Sequence, residues 1–421
     1  MLQLTSILAG GAARATLRLN KALLEAGIQS RILTPAVPSS LSDSVVPVSL
    51  PTDLIERLIK FWKVSIDRRL RQRGKEQKTV EVAFSGTNSI YGSKMYHHFP
   101  TADIYHLHWV AEFIDYRILP RLQQRAPIVW TLHDLNPFTG GCHFAFGCNA
   151  YTSECSDCPQ LSIQNHHPQI YAKRNWDQKR RIFKILDPRR IKFVAPSRWI
   201  KKEANRSALL RGFDTILIPN GVDHTLFHPT DKLEAKKHFG VPDDKTVIML
   251  CAVSLDDKFK GISYALDAIK TLPPTDSFCV MTVGNGSVSR DFENRGVQVI
   301  DLGNIDDEKE MNGIYNAADM LVVSSIQDNL PNVVLEAMAC ALPVVAFTTG
   351  GIPDLIRHNE TGLLVPTGDI PLLSESIQSL IENRDLRTRL GQQARIMIEK
   401  TFTLSKQASS VSKVYEELRH C

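Results

Sequence analysis

The 421-residue chain has no run approaching the roughly 18 consecutive apolar residues that a membrane-spanning helix needs, so no span is expected. Its first residues, MLQLTSILAGGAA, lack the basic start and the unbroken apolar stretch of a secretory leader. Eight cysteines, four of them in one cluster and the others scattered, do not form the disulfide framework of a secreted protein of this length. Together these absences lead to the expectation of a cytoplasmic protein. A signature of disorder is missing as well, since 43% apolar and 23% charged residues describe a globular chain with ample core. The complete G-x-G-x-x-G pattern is also absent, which counts against a dinucleotide site.

What is present is a succession of short apolar strands and amphipathic helices, sufficient in length for two or three domains. The spacing predicts a strand over 2–8, a Gly10-Gly11 turn, and a helix with Ala12, Ala15, Leu19, Ala22, Leu23 and Ala26 on one face that ends at Gly27. Gly11 in such a turn lets a ligand approach the backbone. Strands are expected over 28–33, 80–84, 104–108, 128–132, 193–195 and 216–218, with 35–51 an irregular connection. Two of them end in histidine-bearing turns, DIYHLHWV and IVWTLHDLNPFTGGC. Histidine exchanges protons near neutral pH, so His108 and His133 are candidates on the acceptor side, with Asp134 orienting an imidazole. The turn Pro219-Asn220-Gly221-Val222-Asp223 is a natural crossing between domains.

A second series of strands then begins, over 246–253, 278–283, 297–302, 320–323 and from 343, with helices over 310–317, 372–383, 386–402 and 405–418. Lys260-Gly261, at a strand-to-helix turn, sets an ammonium beside a helix N-terminus, which suits a diphosphate. Gly284-Asn285-Gly286 forms another Gly-rich turn. A helix opens at Pro331, read as its first residue because the missing N–H costs nothing there. Asp328 and Glu336, eight positions apart around that opening, face one crevice at the carboxyl edge of a parallel sheet, or else are acids placed favourably near a helix N-terminus.

Two further features stand apart. Residues 54–78 set Leu54, Leu58, Phe61, Trp62 and Ile66 on one helical stripe among nine lysines and arginines. That pattern suits an anionic membrane surface, or a helix packed on its domain with a solvated basic face. No nucleic-acid reading motif accompanies the charge, so a nucleic-acid partner is not expected. Cys142, Cys148, Cys155 and Cys158 follow the spacing C-x5-C-x6-C-x2-C, enough for a structural zinc site, with His143 as a substitute ligand, or for a disulfide-stapled loop.

The stretch SSIQDNLPNVVLEAMACALPVVAF resembles the E-x7-E signature of retaining glycosyltransferases of family 4, with Asp328 in place of the first Glu. HWV, TLHDLNPFTGGCHF, PNGVD, FHP and the Lys260-Gly261 step resemble that family's motifs in the order it requires, those around the histidines being closest to enzymes of bacterial exopolysaccharide and colanic-acid type. The resemblance implies the α/β GT-B fold, with two Rossmann-like domains facing across a cleft. Residues 1–218 would form the acceptor domain, 219–402 the donor domain, and 403–421 a helix returning to the first. It implies a UDP- or GDP-sugar donor and a glycan or lipid-linked glycan acceptor. Asp328 would contact the donor sugar and Glu336 the ribose. Gly11, Ser254, Lys258, Lys260, Gly284, Asn285, Gly286, Asn329, Leu330 and Pro331 would line the donor site. Lys260 would bind donor phosphate, and His133 would orient or deprotonate the acceptor hydroxyl. Relatives carry Arg where Ser254 stands, so one phosphate cation is missing, and Lys258 is the candidate to replace it. No D-x-D pair occurs, the adjacent Asp256-Asp257 not being one, and no catalytic divalent metal or other cofactor is expected. A nucleotide-sugar epimerase or a non-catalytic nucleotide-sugar-binding scaffold would share these clefts. With the missing span and leader and the basic stretch 54–78, the resemblance leads to the expectation of a location in the cytoplasm, or at the inner face of the plasma membrane.

Overall fold

The computed structural model describes residues 1–35, 43–48, 84–89, 91–161, 167–273, 277–292 and 295–420. The basic stretch 54–78 and residues 80–83 of the expected strand 80–84 lie outside the described residues. The chain divides into two compact units, Met1–Ile218 with Ala408–Cys421, and Pro219–Gln407.

In the first unit, β1 (Leu2–Leu4), β2 (Arg31–Thr34), β3 (Val45–Pro47), β4 (Tyr105–Leu107), β5 (Ile128–Thr131), β6 (Ile191–Ala195) and β7 (Thr215–Leu217) form one sheet in the order β3-β2-β1-β4-β5-β6-β7. Every pairing is parallel. The expected irregular connection over 35–51 contains the edge strand β3, whose Pro47 is tolerated because an edge leaves one row of backbone groups outside the ladder. Phe84, expected to end a strand, makes only an isolated antiparallel bridge to Cys142. Parallel strands covered on both faces read as continuous apolar runs, and β4 and β5 are buried throughout. Trp130 on β5 stacks on Phe193 of β6 at 6.0 Å between ring centroids, at the centre of an aromatic core.

In the second unit, β8 (Thr246–Ser254), β9 (Phe278–Asn285), β10 (Gln298–Asp301), β11 (Met320–Val323), β12 (Val344–Phe347) and β13 (Leu363–Val365) form a parallel sheet in the order β10-β9-β8-β11-β12-β13. Side chains alternate between two separate cores. Val247, Met249, Leu321 and Val323 enter one, and Ile248, Leu250, Met320 and Val322 the other. The helices Ile262–Thr271 and Asn332–Ala339 follow β8 and β11. Pro331 stands just before the second helix, with extended ψ of 123°, so it precedes the first helical residue rather than being it.

Strand order fixes where ligands meet such sheets. In the first unit the chain runs outward one way from β1 and the other way from β4; in the second unit the same reversal falls between β8 and β11. Crevices at the carboxyl ends of these strand pairs are the switch points at which open α/β folds bind ligands.

Candidate functional sites at the two switch points

In the second unit, the loops leaving β8 and β11 are tied together by their backbones. Ile326 N–H donates to Phe259 O at 2.9 Å, and Ser324 Oγ donates to Gly261 O at 2.7 Å. Gly261 has φ +61°, and a Cβ there would lie 2.0 Å from Ser324 O, so no other residue allows this approach. On the far side Gly351 N–H donates to Asp328 O at 3.0 Å, and Thr349 Oγ1 to Ile326 O at 2.7 Å.

Between these clamps Lys260 Nζ lies 2.6 Å from Asp328 Oδ2. The other carboxylate oxygen of Asp328 accepts from Asn329 N–H at 3.0 Å. Burial disfavours the Lys260 charge, but Asp328 outweighs it and holds the ammonium above its ordinary pKa. The lysine side chain keeps 36% of its surface exposed.

The remaining expected donor-site residues of this unit differ in exposure. Ser254 stands opposite Asn285 across the β8–β9 pairing, beyond an irregularity in register. Lys258, Asn285 and Gly286 are exposed, whereas Gly284, Asn329, Leu330 and Pro331 are buried. Gly284 N–H donates to Gly303 O at 2.8 Å. Glu336 is 0% exposed, and its Oε2 accepts from the Tyr315 phenol at 2.8 Å, which sets that oxygen toward the helix Glu308–Ala317. Burial, together with the Glu336 charge, pushes the Tyr315 phenol well up.

In the first unit, the switch point joins β1 and β4. Ser6 N–H donates to Trp109 O at 2.8 Å, and the exposed Gly11 opens the helix Gly11–Glu25. Beneath lies a histidine chain. His108 Nε2 is 2.9 Å from Gln3 Oε1, and His108 Nδ1 is 3.0 Å from His133 Nε2. His106 reaches Tyr415 OH at 2.6 Å with Nδ1 and Thr131 Oγ1 at 2.8 Å with Nε2. Burial drives His106 down to about 3 and His133 to about 4, and His108 well below its ordinary value, so all three imidazoles are neutral near pH 7.

Neutrality fixes the tautomers. Gln3 Nε2 donates to Asn20 Oδ1 at 3.0 Å and Ser30 Oγ at 2.9 Å, which leaves Oε1 to accept from His108 Nε2–H. Nδ1 of a neutral His108 must then accept, and His133 Nε2–H is its donor. The basic lone pair of His133 is therefore on Nδ1.

Asp134 does orient an imidazole, but that of His143. Its Oδ2 lies 2.5 Å from His143 Nδ1 and accepts from Trp109 Nε1 at 2.7 Å, while Oδ1 accepts from Asn136 N–H at 2.8 Å. Burial alone would raise this acid; His143, Asn136 and Trp109 together bring it below the usual carboxylate range. Gln3, His106 and Tyr415 were not singled out by the sequence, and His143 was singled out only as a substitute metal ligand. The alternation of His106 with His108 was the available signal for one of them.

All four clustered cysteines are free thiols. Burial pushes Cys142 and Cys155 up to about 12, which removes the thiolate that nucleophilic chemistry needs. His143 is not a substitute metal ligand, because its Nε2 is also engaged, 3.0 Å from Ser85 Oγ. Among the described residues no helix is long and apolar enough to cross a membrane.

The fold has counterparts in known proteins. Solved structures share it over almost the whole chain. Sucrose-phosphate synthase of Thermosynechococcus elongatus superposes with TM-score 0.70 at 21% identity, covering 99% of this chain and 98% of that one. HepE of Anabaena, solved in complex with UDP-glucose, gives TM-score 0.65 at 17% identity over 99% and 98%. These neighbours establish the GT-B fold. In sequence, an uncharacterized glycosyltransferase of Methanocaldococcus jannaschii is 27% identical over 66% of this chain and 74% of its own length. D-inositol 3-phosphate glycosyltransferase of Corynebacterium jeikeium is 29% identical over 50% of this chain. N-acetyl-alpha-D-glucosaminyl L-malate synthase of Bacillus anthracis is 24% identical over 49% of it. The match spans only 54% of each of these last two relatives. The family model for Glycosyl transferases group 1 matches residues 231–397. Since the model for Glycosyltransferase Family 4 matches residues 9–226, just over half of the sequence, the chain belongs to glycosyltransferase family 4.

Proposed function

We propose that the protein is a retaining glycosyltransferase that moves a hexosyl group from a UDP- or GDP-sugar to a hydroxyl of a glycan or lipid-linked glycan in bacterial polysaccharide synthesis. The observation that carries this reading is the Lys260–Asp328 pair at the β8/β11 switch point, 2.6 Å apart and held by glycine turns on both sides. The hard step is departure of a diphosphate from an oxocarbenium-like carbon. Lys260, the exposed Lys258 and the N-terminus of the helix Ile262–Thr271 place fixed positive charge where the leaving group gains negative charge. Asp328 holds the hydroxyls of the donor sugar, and the acceptor hydroxyl attacks from the face the diphosphate leaves, which retains configuration. His133, neutral and with its lone pair on Nδ1, has the protonation state required to orient that hydroxyl or take its proton. No divalent metal is needed in this scheme. The basic stretch 54–78 would hold the protein at an anionic membrane surface beside a lipid-linked acceptor.

The test is release of nucleotide from a panel of UDP-, GDP- and ADP-sugars with EDTA present, with and without lipid-linked acceptors, followed by NMR of the anomeric centre of the product. Turnover of one donor, dependent on acceptor and with retained configuration, is expected. Isomerised sugar without acceptor would show an epimerase. Donor that binds and never turns over would show a binding protein.

A further inference from the structure

Residues 139–161 form a long connection whose only regular element is the single turn Ala150–Thr152. Connections of more than ~12–15 residues without secondary structure need a specific reason to stay ordered. Here the loop is folded around a small cavity that Cys142, Cys148, Cys155 and Cys158 all line, together with Phe84 and Ala172.

Backbone N–H groups act on two of the four sulfurs. Gly140 N–H donates to Cys155 Sγ at 3.2 Å. The backbone N–H groups of both Gln160 and Leu161, two and three residues beyond Cys158, act on its sulfur. Gly140 itself leaves no room for change, because a Cβ there would lie 2.7 Å from the Cβ of Cys155. Behind the loop lies Lys179, a fully buried cation. It donates to Asn136 O and to Thr139 O, the latter at 3.0 Å, and its charge acts on Cys142 and Cys155. A buried ammonium calls for negative charge nearby; Asp134 supplies part of it, and thiolates at Cys142 and Cys155 would add to it.

We propose that Cys142, Cys148, Cys155 and Cys158 form a structural tetrathiolate site for one Zn²⁺ seated in this cavity. Binding exchanges four S–H protons, released to solvent, for four Zn–S bonds. The resulting centre carries net charge −2, which Lys179 and the N–H groups of Gly140, Gln160 and Leu161 offset. As the side chains stand, no three His, Cys, Asp or Glu donors of the described residues are gathered as a finished metal site. Ligation therefore turns the four sulfurs inward about their side-chain torsions while the backbone keeps its course. The site is remote in role from sugar transfer: it staples the segment that carries His143 onto Asp134.

The test is the zinc content of the full-length protein, purified without chelator and then passed through zinc and buffer exchange. About one zinc per chain is expected in the wild type and in Cys279→Ser, a buried cysteine of the other unit. Less than a tenth of that is expected in the Cys155→Ser/Cys158→Ser variant. Cobalt(II) added to chelator-stripped wild type should give the thiolate-to-metal charge-transfer absorption of a sulfur-rich tetrahedral site, which does not depend on the variant folding. Wild type that holds no zinc after loading and gives no such absorption overturns the proposal. So does peptide mapping that finds any two of the four cysteines joined as a disulfide.

Discussion

Lys260 and Asp328 stand 68 residues apart in the chain and 2.6 Å apart in space, one on the loop after β8 and the other on the loop after β11. Under the proposed function the pair has two separable tasks: the cation would face the leaving group, and the carboxylate would fix the cation. Lys260→Ala removes a preorganised positive charge and should lower kcat by roughly 100- to 1,000-fold. Asp328→Asn should also lower it. Because the two side chains touch, the double variant should lose less than the product of the single losses. Steady-state nucleotide release on the four proteins measures this, and strictly multiplicative losses would show that the contact has no part in turnover.

Gly350 has φ +53°, and a Cβ there would lie 1.7 Å from Asp328 O. Gly350→Ala should therefore cost about 1–3 kcal/mol of stability through strain and also displace Asp328. Gly368 shares the left-handed backbone, with φ +85°, but nothing lies within 4 Å of its would-be Cβ. Gly368→Ala should lose stability and keep its rate. Urea denaturation beside the transfer assay separates strain from displacement, and equal loss of rate in both variants would refute the role assigned to Gly350.

The buried histidines set an acid limit. His106, at about 3, and His133, at about 4, are depressed below the ordinary 6.5, so between those values the unfolded chain binds protons that the folded chain does not. Their contribution to stability is complete above about pH 6.5 and is lost as pH falls through that value, by up to ~1.4 kcal/mol per pH unit for each. Urea midpoints taken between pH 4.5 and 6 should rise with pH. His106→Asn, although less stable overall, should show a shallower rise, and an unchanged slope would count against a neutral buried His106.

Gln3 dictates which nitrogen of His133 is basic, through His108. In the wild type, nitrogen-15 NMR of the imidazoles should find His133 with its proton on Nε2. Gln3→Leu removes the acceptor of His108 Nε2–H and frees the tautomer. It should therefore change kcat and its pH profile while leaving KM for the donor near the wild-type value. A wild-type His133 protonated on Nδ1 would reverse the assignment.

The strands were legible because both faces of each parallel sheet are covered, which makes their residues continuously apolar. The helix Gly11–Glu25 was legible from its 3.6-residue stripe and from Gly27. The short edge strand Val45–Pro47 was not, because a three-residue strand on an edge buries too little to leave a pattern. The histidine words put His108, His133 and Asp134 just past the ends of strands, where they stand, and left open which imidazole Asp134 orients. Asp134 adjoins His133 in sequence, yet its carboxylate turns to His143, nine residues away. Adjacent residues that leave the end of a strand point in different directions, so sequence proximity does not establish contact.

The sequence by itself determined the two-fold repetition of strand and helix, the glycines at the strand-to-helix turns, the Lys260-Gly261 step and the placing of Asp328 before a helix. These are properties of local backbone conformation and periodicity, which a few neighbouring residues settle. Only the tertiary structure decided that β8 and β11 are neighbours across a switch point, which brings Lys260 onto Asp328. It also decided that Glu336 is buried against Tyr315, and that Gln3, from the first strand, governs the protonation of His133 through His108. Those relationships depend on strand order and on which side chains share a low-dielectric interior, and both arise from contacts between residues far apart in the chain.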